Sequence, residues 1–265
     1  MTSLKSRVLV MIVGVPLLAW VVLAAPAVVL KYAIGALALI GAYELMKCVG
    51  VNQRSFLFVW TMVCAFAAAI VPAAYAPVRW ILYVLLAFLC AIIKAGELKF
   101  FHIAAGICAV IVIPYSFSAF LRIEAMGLHR AYLLLPFILS FACDTFAYIV
   151  GCTIGKHKLA PKVSPKKSVE GSIGGLAGNV LCGLLFAFVM DRWFGGSIGY
   201  GAMAVLALAC GVVAQIGDLS FSLIKREFGI KDYGKLFLAH GGVLDRFDSV
   251  LFVAPVIELI LNFVK

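Results

Sequence analysis

A chain of 265 residues that is 65% hydrophobic and only 13% charged, with mean hydropathy +1.13, is not a soluble globular domain, because such domains average about 25% charged residues. Its apolar residues run in blocks of about 20, the length of a bilayer-spanning helix. The blocks are continuous rather than alternating, which excludes a β-barrel. The net charge of +10 comes without a basic stripe interleaved with aromatics outside two loops. That excludes a nucleic-acid partner and favours anionic lipid headgroups and phosphorylated substrates.

The predicted fold is all-α: a polytopic integral membrane helix bundle of about nine transmembrane helices. They lie near 8–25, 29–47, 56–76, 79–93, 103–121, 131–151, 172–190, 198–216 and 243–264. The fourth is the shortest. The first resembles a signal peptide, with Lys5 and Arg7 before the apolar run and Ala24-Ala25-Pro26-Ala27 after it. Eight further spans need a starting orientation, so it is read as a retained span. Pro16, Pro72 and Pro114 are expected to kink or end helices.

With the N-terminus inside, the loops alternate so that Lys31, Arg79, Arg122, Arg130, Arg192 and Lys265 fall outside and the other 16 cations inside. That is the positive-inside bias. Two spans separate the loop at 152–171 from the loop at 217–242, so both face one side, which the bias makes the cytoplasm. The protein is expected in the cell (inner) membrane with its active site on the cytoplasmic side.

Residues 1–130 read as a transmembrane scaffold, and 131–265 as the catalytic region of one integrated domain. Within the scaffold, Glu44 is read as a headgroup-level acid, with contact to the polar site as the other reading. The eight cysteines form no CxxC pair and the four histidines are dispersed. Neither a disulfide frame nor a zinc cage follows.

The second half carries the chemistry. Asp144 lies within the sixth span, where an acid costs about 2.5–3.5 kcal/mol on insertion scales. Ser140, Asp144, Tyr148 and Gly151 share one helical face beside Ala147, directed into the bundle. Next, Ser164-Pro165 is expected to start a short helical turn. Lys166 and Lys167 on that turn could grip a polyphosphate. Gly171, Gly174, Gly175 and Gly178 give the seventh span a smooth face, either for helix packing or for a lipid tail entering from the inner leaflet. Asp218, Ser222 and Lys225 recur at i, i+4 and i+7, placing a metal-binding acid and two phosphate-binding groups on one face. His240-Gly241-Gly242 opens the last span, and a helix N-terminus after glycines offers free amides to an anion. Asp245 and Asp248 follow in its first turns, with Arg246 between them.

Three ordered stretches resemble the phosphatidate cytidylyltransferase (CDP-diacylglycerol synthase) family. The signature reads here Ser222-Leu-Ile-Lys225-Arg226, Lys231-Asp232-Tyr-Gly234 and His240-Gly241-Gly242-Val-Leu-Asp245-Arg246-Phe-Asp248. Upstream, Asp144–Tyr148 and Ser164–Gly171 match the family's Asp-Thr-x-Ala-Tyr and Ser-Pro-Lys-Lys stretches. Leu238 departs from the family's usual Pro.

The resemblance implies that CTP and phosphatidic acid give CDP-diacylglycerol and pyrophosphate, with Mg²⁺ and room for a second, monovalent cation such as K⁺. It implies metal binding by Asp218 and Asp245. Catalytic roles fall on Asp144, Lys225, Arg226, His240 and Asp248, and substrate binding on Ser164, Lys166, Lys167, Ser222, Lys231, Gly241, Gly242 and Arg246. Membrane lipids are its surroundings, and a homodimer is compatible with it. Two other readings stay open. A transporter of a phosphorylated metabolite would need polar groups across the midplane and pseudo-symmetric halves, whereas here they crowd one half. A CTP-dependent enzyme acting on another lipid phosphate would differ only in its acceptor pocket.

Overall fold

The structure, a computed structural model, describes residues 12, 14, 16–196, 198–236 and 241–264. It is helical almost throughout. Residues 16–23 form α1, followed by α2 (Ala27–Cys48), α3 (Phe56–Ile70), α4 (Ala76–Ile93), α5 (Phe100–Ile107) and α6 (Ile113–Ala125). Then come α7 (Leu135–Ile154), the strands β1 (Lys158–Ala160) and β2 (Ser164–Ser168), α8 (Val169–Trp193), α9 (Tyr200–Glu227) and α10 (Leu244–Val264). Among the described residues, seven helical stretches are long and apolar enough to cross a membrane, with α5 and α6 counting as one. The protein is an all-α integral membrane protein. The first expected span lies partly outside the described residues.

Helix lengths follow local chemistry. The short span is α3, with 15 residues, rather than the fourth. Ser55 caps its start by accepting the Phe58 amide, and Val71, driven extended by Pro72, ends it. Arg79 then donates to the carbonyls of Ala67 and Val71, both at 3.2 Å, and satisfies that C-terminus. Pro114 cannot donate, and a five-residue π-turn over Cys108–Val112 joins α5 to α6 just before it.

The chain packs as two compact units, Met1–Leu121 with Glu227–Arg246 and Arg122–Arg226 with Phe247–Lys265. In the first, Thr61 and Tyr83, both fully buried, pair through their hydroxyls at 2.8 Å and so resolve two polar groups inside an apolar bundle.

In the second unit α7 and α8 approach almost backbone to backbone. A methyl on Gly175 would lie 2.8 Å from the Cys143 carbonyl, and one on Gly178 would lie 2.1 Å from the Phe146 ring. Gly171 and Gly174 are equally filled, by Ala147, Gly151 and Val150. The smooth glycine face therefore serves helix packing, and the lipid-tail groove expected on it is overturned: α7 occupies the space. Asn179, fully buried, donates to the Ala207 carbonyl at 2.7 Å and ties α8 to α9. Outward, side chains such as Ile92, Val205 and Phe263 are largely exposed, which is untenable in water and natural against lipid.

Gly175→Ala is expected to destabilise the folded protein by about 1–3 kcal/mol, because a backbone carbonyl cannot move aside as a side chain can. Thermal unfolding in detergent measures this, with Gly199→Ala, which meets nothing within 4 Å, as the neutral control.

Candidate functional site

The second unit holds a cavity of about 480 Å³ whose wall combines α7, the hairpin, α8 and α9. Asp144, Ala147, Tyr148 and Gly151 contribute from α7, as their spacing predicts. Lys158, Lys166 and Lys167 come from the hairpin, and Gln215 and Asp218 from α9.

The hairpin corrects one expectation. Ser164–Ser168 is a strand, paired antiparallel with Lys158–Ala160 through Lys158↔Ser168 and Ala160↔Ser164. Ser164-Pro165 therefore opens a strand rather than a helical turn; Pro165 is tolerated because a two-stranded ribbon has a free edge on either side. The helix start lies four residues later. The Ser168 hydroxyl accepts the Gly171 amide at 3.1 Å and caps α8. Glu170, in the first turn, reaches back to accept the amides of Lys156 and His157 at 3.0 and 3.2 Å. Its other oxygen meets His157 Nδ1 at 2.5 Å. Cap and clamp together pin both ends of the basic loop to one helix N-terminus.

This anchoring presents Lys167 to α9, where its ammonium pairs with the Asp218 carboxylate. The other Asp218 oxygen accepts the Ser222 hydroxyl at 3.3 Å, confirming the shared face. Lys225, one turn on, is buried. Asp248 is within electrostatic reach of Asp218, Asp144 and Lys225. Arg226 donates to the Val163 carbonyl at 3.4 Å, returning from α9 to the hairpin. Lys166 is exposed at the rim.

Gln215 carries no expectation from sequence, yet it joins the wall. It accepts the Ser172 hydroxyl and donates to the Ser172 carbonyl at 3.0 Å, locking α9 to α8 beside Asp218. The signal was available: an amide three residues before an acid in an otherwise apolar helix.

The remaining signature residues belong to the first unit. Asp245 accepts the amides of Tyr233 and Gly242 on one oxygen, at 2.7 and 2.9 Å. Gly241 takes φ +83°, a backbone that favours glycine. The amides of Val243 and Leu244 donate to Glu44 at 2.9 and 2.8 Å. The amides of Gly242, Val243 and Leu244, where α10 begins, are thus taken by the protein's own carboxylates. Lys231 and Arg246 are exposed. Leu238 and His240 lie outside the described residues.

Among the described residues, no three His, Cys, Asp or Glu side chains are gathered closely enough to hold a metal unaided. Asp144 and Asp218 nevertheless line one cavity wall, two hard oxygen donors, with Asp248 within electrostatic reach of both. That chemistry fits a cation such as Mg²⁺, which keeps several waters or substrate oxygens and needs only one or two carboxylates.

Lysines and acids thus line one cavity of a helical membrane protein. The chain belongs to the cytidylyltransferase family, whose sequence profile matches residues 5–264. Relatives named phosphatidate cytidylyltransferase include one from Staphylococcus epidermidis, 32% identical over 234 residues, covering 85% of this chain and 86% of the relative. Others are from Staphylococcus saprophyticus and Staphylococcus aureus, 35% and 36% identical over 170 residues, with 64% of this chain and 63% of each relative aligned. In those alignments the chain spans about three-fifths of the relatives' length.

Glu170→Ala is expected to release the hairpin. Amides 156 and 157 should exchange faster with deuterium than in the wild type, while the interior of α8 keeps its protection.

Proposed function

We propose that the protein is a phosphatidate cytidylyltransferase, transferring the cytidylyl group of CTP to phosphatidic acid with release of pyrophosphate in phospholipid biosynthesis. The observation that carries the reading is the Lys167–Asp218 pair on the wall of the cavity, in a chain of the cytidylyltransferase family. The names of the relatives supply the lipid acceptor. A volume of about 480 Å³ falls in the range of small-ligand sites, about 300–1,000 Å³.

In this reaction a phosphate oxygen of the lipid attacks the α-phosphorus of CTP, a new P–O–P bridge forms, and the α–β bridge breaks. The electron pair leaves with pyrophosphate. The attacking phosphomonoester is already largely ionised near neutral pH, so no strong base is required. Catalysis then rests on positioning and charge neutralisation. Lys166 and Lys167 would hold the nucleotide phosphates, with Lys167 exchanging part of its bond to Asp218 for the incoming anion. Lys225, Ser222 and Arg226 would orient phosphates from α9. Asp218, with Asp144 on the same cavity wall, would hold Mg²⁺ and Asp248 would support it, with Asp245 the further acidic position that the family resemblance assigns to metal. When bound, the cation would neutralise phosphate charge. A second, monovalent cation and a homodimer belong to the same proposal.

The cation asymmetry of the loops supports a cytoplasmic active site in the cell membrane. Tagged cysteines at 162 and 231 should therefore react from the same, inner face; opposite labelling would exclude a shared active side.

Asp218→Asn and Asp245→Asn should each abolish Mg²⁺-dependent turnover in a protein that still folds and inserts. Lys167→Ala should raise KM for CTP more than KM for the lipid. Wild-type turnover by Asp218→Asn, or an unchanged KM for CTP in Lys167→Ala, would remove these residues from the mechanism.

A further inference from the structure

We infer that Glu44 is a positioning residue for the signature loop: its carboxylate fixes the start of α10 and thereby the turn that presents Asp245 and Arg246. Glu44 sits near the C-terminal end of α2 and is only 3% exposed, so its side chain is held inside the protein and does not snorkel to the surface. Its two oxygens each take one backbone amide, Val243 on one and Leu244 on the other, from residues about 200 positions away in the chain. The next amide back, Gly242, is taken by Asp245. Three successive amides leading into the helix, of which those of Val243 and Leu244 would otherwise be left for solvent, caps or ligand, are thus satisfied by two carboxylates. The positive end of α10 in turn answers the buried charge of Glu44.

The surrounding sequence is fitted to that carboxylate. A methyl on Gly242 would lie 2.0 Å from a Glu44 oxygen, and one on Gly234 would lie 2.3 Å from the same oxygen. Both glycines belong to the signature stretches, and both are needed as bare backbone because Glu44 fills the space where their side chains would stand. Asp245 closes the turn from the other side by holding Tyr233 and Gly242. The chain on either side of residues 237–240 is therefore gathered around two carboxylates, the local Asp245 and the remote Glu44. A local helix cap would have needed only Asp245. The second, remote carboxylate sets where the turn lies relative to α2.

Glutamine keeps the shape of the side chain but offers one acceptor oxygen, and turns an NH₂ group toward the second amide donor. Glu44→Gln should therefore loosen the turn without emptying the space. The kinetic arm of the test rests on the cytidylyltransferase reading; the exchange arm does not. In purified protein, Glu44→Gln should lower kcat for CTP and phosphatidic acid about 10- to 100-fold, the range seen when a partner that orients site residues is lost. KM for each substrate should change far less, and the melting temperature should stay near wild type. Deuterium exchange over 241–246 should quicken, while exchange in the middle of α2 and α10 should not. Should Glu44→Gln fail to accumulate, Gly234→Ala, whose methyl displaces the same carboxylate, carries the same expectations. Wild-type kcat with unchanged exchange over 241–246 would overturn the inference. So would a loss of activity matched by loss of folded protein, with wild-type kcat in the folded fraction. A wild-type protein that makes no nucleotide–lipid would sink the functional reading instead, leaving the exchange result to decide the role of Glu44.

Discussion

Charge placed beside hydrocarbon has to be answered inside the protein, and that constraint organises the structure. Lipid offers no hydrogen bonds, so each acid in a span must find a cation, a backbone amide or a ligand. Asp218 finds Lys167, Glu44 and Asp245 find the amides that open α10, and Glu170 finds the amides at the start of the basic loop. Arg122 and Glu258, at 2.6 Å, resolve each other within the second unit. Each pairing fixes a piece of backbone. The polar residues that a hydropathy profile records as interruptions are the points from which loops are hung.

The same constraint shapes how the cations and acids of the site are carried. Lys166 and Lys167 stand on the hairpin, outside the apolar helices, where long stems let the ammonium groups follow a ligand, while Lys225 and Arg226 stand on the last turn of α9. Acids stand on helices, where their geometry is set. The pairing of Lys167 with Asp218 holds a cation in place before any phosphate arrives. In the proposed reaction a charged ligand would exchange partners within a network already set by folding, leaving little reorganisation for the chemical step.

Much of this was legible in the sequence. Runs of about 20 apolar residues located the spans because the bilayer fixes their length. Asp144, Tyr148 and Gly151 reached one cavity wall because helical periodicity requires it. Asp218 and Ser222 met for the same reason. What stayed hidden depended on partners distant in sequence. Ser164-Pro165 has the local chemistry of a helix start, and only the pairing with Lys158–Ala160 makes it a strand. The glycine face of α8 could have served a lipid or a helix, and that choice is made by α7. Glu44 could be an interfacial acid or reach the polar site, and nothing near it in the chain reveals an amide pair some 200 residues away. Gln215 carries no charge to mark it in the sequence, and its role is to lock two helices through an amide.

The central claim is that the paired lysines and acids around this cavity serve transfer of a cytidylyl group to a lipid phosphate. The most direct measurement follows two labels in CTP, one at the α-phosphorus and one at the γ-phosphorus, with purified protein, Mg²⁺ and phosphatidic acid in mixed micelles. The account predicts that the α label moves into an organic-soluble nucleotide–lipid and the γ label into pyrophosphate, in equal amounts. Both products should vanish in Asp218→Asn. Release of the γ label as inorganic phosphate, or no lipid-bound α label with phosphatidic acid while another lipid phosphate accepts it, would contradict it.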